Sequence, residues 1–363
     1  MKLQVTQTNF TKALASVARI ANSRNSLPIL SNVLLKVADN RLSIAATNLD
    51  IAITHYIGAK VSSAGAITVP ARLTQDFISS LPEGVIELEL NENKLNITTE
   101  KYQSSINGTP ADDYPVMPAI TKGTQWSVDS KLFKKALQQV LPAASSDETR
   151  PVLTGVYLHN LKGELLMAAT DSYRLAEKKL HKIKNNLNLL IPASALQDML
   201  RIMDGSDEDI KVTCDEQQVS FVVGDITLVT RLIDGSYPDY KRLIPGKFTT
   251  TALLNKDDFI NITKVSSLFA RESAGSITLN VDAKNKQVSI HSVASQLGEN
   301  TASANAEITG GGEVTLNSRY LLDALSAIDG DKVEFCFNGK LEPCVIKTAG
   351  DSDYTHIVMP LRS

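Results

Sequence analysis

The chain has 363 residues, of which 43% are hydrophobic and 21% are charged, and its formal net charge is −3. This composition places it in the ordinary soluble globular class, with room for two or three domains. The charge balance excludes a global basic field. Any contact with nucleic acid must therefore come from local placement of the 37 Lys and Arg residues.

The cysteine content and the first residues constrain the compartment. Cys214, Cys336 and Cys344 are an odd and sparse set without CxxC spacing, which argues against a disulfide framework or a zinc site. The N-terminus lacks the apolar core of a signal peptide, and no apolar run approaches the length of a membrane span. We therefore expect a cytoplasmic protein with no membrane partner.

In the first third of the chain, the spacing of apolar residues predicts one amphipathic helix and several strands. A helix over about 8–21 carries Phe10, Leu14 and Val17 on one side. Asp39-Asn40, between two alternating segments, is typical of a hairpin turn. The strands predicted here are 2–6, 33–37, 41–47, 51–57, 86–90, 94–98 and 102–106.

The second third repeats this order. Its helix is predicted over about 130–144, with Phe133, Leu137 and Val140 as the apolar stripe, and Phe133 stands 123 positions beyond Phe10. The strands predicted here are 155–159, 164–168, 210–213, 218–222 and 228–232.

The last third, from about Thr249, has the same plan. A helix is predicted over 256–269, and its Phe259 stands 126 positions beyond Phe133. The strands predicted here are 276–281, 287–291, 333–337 and 344–348.

A second helical segment occurs three times, at 69–84, 190–205 and 316–330. Each copy has a helical start, an apolar stripe and an acidic residue followed by Gly. Pro70 and Pro192 are 122 positions apart, and Pro192 and Asn317 are 125 apart. Such a period indicates one module built three times, each copy large enough to form its own core.

Proline-containing exits separate the modules, at 112–118 (DDYPVMP) and 234–240 (DGSYPDY). We therefore predict three domains of α+β class, over 1–122, 123–247 and 248–363. Each domain should have two helices packed on antiparallel sheet.

No catalytic constellation is visible. His55, His159, His181, His291 and His356 lie far apart without metal-ligand spacing. The triple glycine at 310–312 lacks the Lys-Ser/Thr of a phosphate loop, and the acidic clusters at 112–113, 207–209 and 257–258 fall in exits, turns and a first helical turn. The sequence therefore predicts no catalytic residue, metal site or cofactor, and it favours a binding or assembly protein.

The polar helix faces allow two interpretations. Lys12, Ser16 and Arg19 share one side of the first helix, and Lys131, Lys135 and Gln138 share the equivalent side of its counterpart. Such faces could make loose, sequence-independent contacts with a phosphate backbone, or they could be ordinary solvated surfaces.

The threefold repeat occurs together with four motifs: 24–30 (RNSLPIL), 170–176 (TDSYRLA), 232–240 (LIDGSYPDY) and 358–362 (VMPLR). In combination they resemble the bacterial DNA polymerase III beta subunit, the sliding clamp, over the whole chain. The resemblance implies a head-to-tail homodimer that closes six domains into a ring, with helices lining the hole and sheets outside. It also implies a processivity factor that encircles double-stranded DNA without sequence preference and tethers the replicative polymerase alpha subunit.

The same resemblance implies a groove between the second and third domains, where short linear motifs dock from the replicative polymerase, the clamp loader, other polymerases and repair proteins. An apolar slot with a few polar rim groups suits an extended peptide. Ser172-Tyr173 stands where well-known members have Gly-His, and Ala274 stands where some have an aromatic residue, so the peptide preference stays open. The groove residues implied are Leu153, Thr170, Ser172, Tyr173, Arg174, Leu175, Pro238, Arg242, Leu243, Asn317, Tyr320, Leu341, Pro343, Val358, Met359, Pro360 and Arg362.

Two further sets of residues follow from the resemblance. Arg24, Arg72 and Arg150 are the residues implied to face DNA. Leu268 and Phe269 are implied to pack across the subunit interface, where the first domain of one chain meets the third domain of the other by edge-strand pairing. Phe269 also lies on the helix stripe of Phe259, so a role in the core of its own domain stays open.

Three alternatives remain at this stage. A repeat scaffold could dock peptides without encircling DNA, and a metal-dependent hydrolase could use the acidic clusters. The C-terminal segment could complete the third domain as an edge strand as well as line the groove.

Overall fold

The computed structural model describes residues 1–21, 27–204, 207–296, 298–351 and 353–362. Its helices are α1 (Gln7–Ala21), α2 (Ala71–Ser80), α3 (Ser130–Val140), α4 (Ala193–Ile202), α5 (Lys256–Phe269) and α6 (Ser318–Ala327). Short 3₁₀ turns occur at Pro28–Ser31, Ala111–Asp113, Leu141–Ala143, Pro151–Thr154, Tyr240–Leu243 and Arg271–Ser273.

The strands are grouped by thirds of the chain. The first group is β1 (Lys2–Thr6), β2 (Asn32–Ala38), β3 (Arg41–Thr47), β4 (Ile51–Gly58), β5 (Lys60–Ser63), β6 (Gly65–Pro70), β7 (Val85–Asn91), β8 (Lys94–Thr98) and β9 (Gln103–Asn107). The second is β10 (Thr124–Val128), β11 (Gly155–Leu161), β12 (Glu164–Thr170), β13 (Arg174–Lys182), β14 (Asn188–Pro192), β15 (Ile210–Cys214), β16 (Gln218–Val223) and β17 (Ile226–Arg231). The third is β18 (Thr250–Asn255), β19 (Ser276–Asp282), β20 (Gln287–Ala294), β21 (Gly298–Thr309), β22 (Gly312–Asn317), β23 (Lys332–Phe337), β24 (Cys344–Thr348) and β25 (Tyr354–Val358).

The chain forms two compact units that divide its central third. The first unit comprises Met1–Lys131 and Ser194–Leu232, and the second comprises Leu132–Ala193 and Ile233–Ser363. In the first unit the strand orders are β5-β1-β7-β8-β9 and β10-β15-β16-β17-β4-β3-β2-β6. In the second unit one sheet has the order β14-β11-β12-β13-β25-β24-β23-β18-β21-β20-β19-β22.

The predicted apolar stripes form the core. Phe10, Leu14 and Val17 are fully buried on α1, which packs on α2 and on the β3-β4 hairpin. In the second unit Phe259 of α5 is buried edge-on against Phe335 of β23, with ring centroids 5.8 Å apart. The 3.6-residue period of the apolar residues thus correctly predicts which side of these helices is buried.

Two details of the predicted helices differ in the structure. Helix α3 ends at Val140 rather than near residue 144, because Pro142 cannot continue an α-helix and the next residues form a 3₁₀ turn. On α4 the apolar period predicts a stripe of Leu196, Leu200 and Met203. The structure buries Met199 fully and Leu200 only partly, so the buried stripe runs through Leu196, Met199 and Met203.

The predicted hairpin at Asp39-Asn40 is confirmed. Both residues have positive φ, 49° and 57°, as a two-residue turn between right-twisted strands requires, and Asp and Asn tolerate this conformation. Strands β2 and β3 pair across it from Ala38–Arg41 outward.

Two junctions join sheets from successive thirds of the chain with the same register. In the first unit β4 pairs with β17, and Ala52 lies opposite Val229. In the second unit β13 pairs with β25, and Leu175 lies opposite Ile357. Ala52 and Leu175 are themselves the hairpin partners of Thr47 and Thr170, so the two junctions are copies of one another.

The C-terminal strand is not an edge strand. β25 pairs with β24 on one side and with β13 on the other, and Ile357 and Val358 are buried. β25 is thus the outermost strand that the third domain contributes to this sheet, as expected, but it is not a free edge, since β13 covers its second side.

Candidate partner groove and charged helix faces

The loop between β12 and β13 is fixed by its own side chains. The Thr170 hydroxyl donates to the Arg174 carbonyl at 2.6 Å, and Asp171 Oδ1 accepts from the backbone N–H groups of Tyr173 and Arg174, each at 2.9 Å. Ser172, at the tip, has a φ of 80°. A glycine adopts this conformation without steric cost, whereas a serine there carries a Cβ in the left-handed region. The loop leaves the Tyr173 side chain 58% exposed.

Arg174 ties this loop to helix α6. Its guanidinium forms ion pairs with Asp171 and Asp323 and lies 4.4 Å from the ring centroid of Tyr320. The Arg174 side chain is only 11% exposed. Charge-assisted hydrogen bonds of this kind, together with a cation–π contact, hold the loop and α6 in one geometry. Asp171 and Asp323 were not predicted as site residues, although Asp171 belongs to the TDSYRLA motif.

The C-terminal segment is bound to the same loop. The Met359 N–H donates to the Tyr173 carbonyl at 2.8 Å, and the Leu361 N–H donates to the Thr315 carbonyl at 2.8 Å. Met359 also packs against a buried cluster. The cluster consists of Ala168, Leu175, Tyr240, Cys336, Val345 and Ile357.

A buried polar network supports the floor of this region. The Tyr240 hydroxyl donates to Glu177 Oε2 at 2.6 Å and lies 2.8 Å from His159 Nε2, and Lys241 forms an ion pair with Glu177. Burial, with the Glu177 carboxylate close by, raises the pKa of Tyr240, so the phenol stays neutral and remains a donor. The Tyr240 phenol therefore keeps its hydrogen bond to Glu177 near neutral pH.

The structure thus brings together Thr170, Ser172, Tyr173, Arg174, Leu175, Tyr320, Val358 and Met359. Exposed apolar side chains lie on flanking segments, with Leu243 46% and Leu341 64% exposed. Asn317 caps α6 and donates to the Ala274 carbonyl at 3.1 Å. Leu153, Pro238, Arg242, Pro343, Pro360 and Arg362 remain predictions as groove residues. An apolar floor with exposed aliphatic and aromatic groups beside it suits anchoring of an apolar side chain.

The arginines implied to face DNA have different surroundings. Arg72 is exposed in the first turn of α2. Arg150 forms an ion pair with Asp147 at 2.8 Å and donates to the Ser172 hydroxyl at 3.1 Å, which places it beside the groove loop. Arg24 lies outside the described residues.

A charged cavity of about 600 Å³ lies in the first unit between α1, α4 and the junction strands. Lys12, Arg19 and Arg201 line it, and Arg201 is paired with Asp198 at 2.8 Å. The Ser16 hydroxyl is 2.9 Å from His55 Nδ1. The predicted polar side of α1 therefore leaves Lys12 and Arg19 exposed, as cations that could contact phosphate groups.

Helix α5 presents apolar side chains to solvent. Leu268 is 53% and Val265 is 46% exposed, whereas Phe269 is partly buried. Two large aliphatic side chains at i and i+3 on one helix face are typical of a surface that another protein covers.

Other kinds of site find little support in the described ranges. Among those residues, no group of three or more His, Cys, Asp or Glu side chains is arranged to hold a metal ion. No helix in the same part of the chain is long and apolar enough to cross a membrane. The three cysteines are buried and free.

Repeated α+β modules joined by equivalent sheet junctions define a clamp-type protein. Family models match almost the whole chain: the N-terminal domain of the DNA polymerase III beta subunit over 1–118, its central domain over 127–239 and its C-terminal domain over 241–362. The chain therefore belongs to the DNA polymerase III beta subunit family, the bacterial sliding clamps.

Individual relatives agree with the family models. The beta sliding clamps of Staphylococcus epidermidis and Staphylococcus aureus are 32% and 30% identical over 376 residues, and each match covers 100% of both chains. The crystal structure of the Bacillus subtilis sliding clamp has a TM-score of 0.95 at 28% identity, covering 100% of this chain and 99% of that one. That of Bartonella birtlesii, bound to griselimycin, has a TM-score of 0.96 at 27% identity, covering 100% of both.

Proposed function

We propose that this protein is a non-enzymatic processivity ring in the cytoplasm, in which two chains encircle duplex DNA and hold the replicative polymerase on it. The domains are 1–122, 123–247 and 248–363. The observation that carries the proposal is the repeated sheet junction, which occurs twice within the chain and leaves one equivalent pair of strand edges for a second copy.

The unused edges follow from the strand orders. The junction strands β4 and β13 correspond to β21, and their partners β17 and β25 correspond to β9. Over 298–305, β21 pairs with β20 on one side, and β9 pairs only with β8 in the described part of the chain. A β9–β21 pairing in one chain with its partner would repeat the two internal junctions and close a head-to-tail dimer.

The repeat also gives the register of this interface. Ala52 and Leu175 pair across their hairpins with Thr47 and Thr170, and the corresponding hairpin pair in the third domain is Glu299 with Val293. Val229 pairs with Ser220 in the β16-β17 hairpin, and the equivalent pair in the β8-β9 hairpin is Asn96 with Ser105. Ser105 is therefore the counterpart of Val229. Glu299 of one protomer should therefore lie opposite the partner's Ser105, with the exposed Leu268 of α5 packed nearby.

A closed ring is held on DNA by topology, so weak and numerous contacts with phosphate are sufficient. Lys12, Arg19 and Arg72 are exposed cations on helix faces that suit this role, and the net charge of −3 does not oppose it. Arg24 and Arg150 stay with this proposal as residues for mutation.

The groove around Arg174, Leu175 and Met359 is where partners would dock. We assign to it extended peptides from the polymerase alpha subunit, the clamp loader, other polymerases and repair proteins. The hydrogen bonds among Tyr240, Glu177 and His159 pre-order the floor, which lowers the cost of ordering the site when a peptide binds.

The dimer is tested by mass in solution at nanomolar concentration. The wild-type chain should sediment as a dimer, and Leu268→Asp should shift it toward monomer because a carboxylate would be buried in an apolar contact. Leu161→Asp, which changes another exposed leucine at 38% exposure, is the matched control and should remain dimeric. A wild-type protein that is strictly monomeric would refute the ring.

A further inference from the structure

The first sheet junction has a small pocket of its own. A cavity of about 250 Å³ lies in the first unit beside the β3-β4 loop and the end of β17. Its lining includes Leu49, Asp50, Val116, Val229 and Arg231. Val116 is 95% exposed and Leu49 is 48% exposed, so two aliphatic side chains border the opening without being covered.

The β3-β4 loop beside this pocket has the same hydrogen bonds as the β12-β13 loop beside the partner groove. Thr47 donates to the Ile51 carbonyl at 3.0 Å and accepts from the Leu49 N–H at 3.0 Å, as Thr170 does with Arg174 and Ser172. Asn48 Oδ1 accepts from the N–H groups of Asp50 and Ile51 at 3.1 and 2.7 Å. Asp171 Oδ1 accepts from the N–H groups of Tyr173 and Arg174 in the same way.

The two sites also share their strained tip and their closing bond. Leu49 has a φ of 79° and Ser172 a φ of 80°. The Arg231 N–H donates to the Asp50 carbonyl at 3.0 Å, in the same way that the Met359 N–H donates to the Tyr173 carbonyl. A leucine kept both exposed and in the left-handed region is costly for folding alone, which is the kind of feature that marks a functional position.

The side chains at this pocket differ from those at the partner groove, so the two sites should bind peptides of different chemistry. Where the groove has Ser172, Tyr173 and Met359, this pocket has Leu49, Asp50 and Arg231. Pro115 occupies the place of Pro238. The first pocket is therefore aliphatic at its tip and carries one charge of each sign on its rim, both on exposed residues.

We propose that the pocket lined by Leu49, Val116 and Val229 is a second peptide-docking site, for an extended segment of a partner protein. The segment would place one aliphatic side chain in the pocket and carry one acidic and one basic residue beside it, to meet Arg231 and Asp50. The comparison with the groove rests on the proposed function, but the pocket itself is a property of the first unit.

The test uses two acetylated, amidated peptides, Glu-Ser-Leu-Ser-Lys and Lys-Ser-Leu-Ser-Glu, titrated into the full chain labelled on Leu and Val methyl groups. At least one order of charges should shift the methyl signals of Leu49, Val116 and Val229 and reach saturation. The same peptide with Gly in place of Leu should not. Val116→Asp, at a fully accessible position, should weaken binding by about tenfold or more, whereas Leu161→Asp, at an exposed leucine that belongs to neither site, should leave it unchanged.

The results separate this inference from the proposed function. Saturable shifts at the three methyl-bearing residues that Val116→Asp removes would support the second site. Shifts confined to Leu153, Leu175 and Leu243 would leave the groove intact and overturn the second site. Absence of saturable shifts with both peptides, or equal shifts with the Gly peptide, would also overturn it.

Discussion

At the scale of single residues, His356 shows how burial couples this fold to pH. It is fully buried on β25, with Nδ1 2.8 Å from the Tyr354 hydroxyl, and burial lowers its pKa from 6.5 to about 3. The folded state therefore binds fewer protons than the unfolded state between these two pKa values. Stability contributed by the neutral imidazole is present above about pH 6.5 and is lost as the pH falls toward 3, by up to about 1.4 kcal/mol per pH unit.

The variant His356→Asn should remove this part of the acid sensitivity. Between pH 7 and pH 5, we expect its free energy of unfolding to fall by about 2 kcal/mol less than that of the wild type. Urea unfolding at the two pH values measures this difference, and His291→Asn, on the exposed side of β20, is the control that should keep the wild-type dependence. An equal loss in wild type and His356→Asn would contradict the assignment.

The backbone conformation of Leu49 should lower the stability of the folded protein. Its left-handed backbone, at φ 79°, disfavours a side chain by about 1 kcal/mol or more, so Leu49→Gly should raise the thermal midpoint or leave it unchanged. Leu73→Gly, at an equally exposed leucine inside α2, should instead lose about 1 kcal/mol because glycine weakens a helix interior. A marked loss of stability in Leu49→Gly would show that its side chain supports the fold.

The sequence pointed to single residues of the proposed groove but not to the interactions among them. The TDSYRLA motif and the terminal VMPLR pointed to Arg174, Leu175 and Met359, which the structure brings together. Asp323 was not predicted as the partner of Arg174, because the two are 149 positions apart and no local pattern relates them.

At the scale of elements, helices were predictable because their signal is local. The period of apolar residues in α1, α3 and α5 is set within a few turns, and their stripes are buried as expected. Strands β13 and β21 escaped prediction for physical reasons. β13 buries the charged residues Glu177 and Lys178, so its sequence lacks the alternation that marks a half-buried strand. β21 does alternate, but its inward positions are mostly alanine, which is depleted in strands and gives a weak apolar signal.

Strand β25 and the segment after it form the element on which the proposed partner binding depends. Removing residues 359–363 deletes the hydrogen bond to Tyr173 and the apolar contact of Met359 with the floor. We expect the affinity for a peptide that carries the clamp-docking motif of the polymerase alpha subunit to fall by about tenfold or more, while the protein stays dimeric.

Fluorescence anisotropy with a labelled peptide measures the affinity, and sedimentation checks the dimer. Leu243→Asp should reproduce part of the loss without shortening the chain. Leu161→Asp should bind like the wild type. Unchanged affinity of the shortened protein would refute the groove assignment.

At the scale of the whole molecule, the tripled plan could be read from the sequence, because helix starts and stops recur at offsets near 123. The junctions could not, since pairing of β4 with β17 and of β13 with β25 joins segments more than 170 positions apart. Those long-range pairings supply the register that we predict for the dimer. They also favour a closed ring over a scaffold that only docks peptides.

The most direct test of the ring is retention on circular DNA. The protein, placed on a nicked circular plasmid by a clamp loader, should remain bound through gel filtration at high salt and leave after the plasmid is cut once, because only topology holds it. Salt-resistant retention that disappears on linearisation is the result the ring predicts. Release by salt alone, or equal retention on circular and linear DNA, would contradict it.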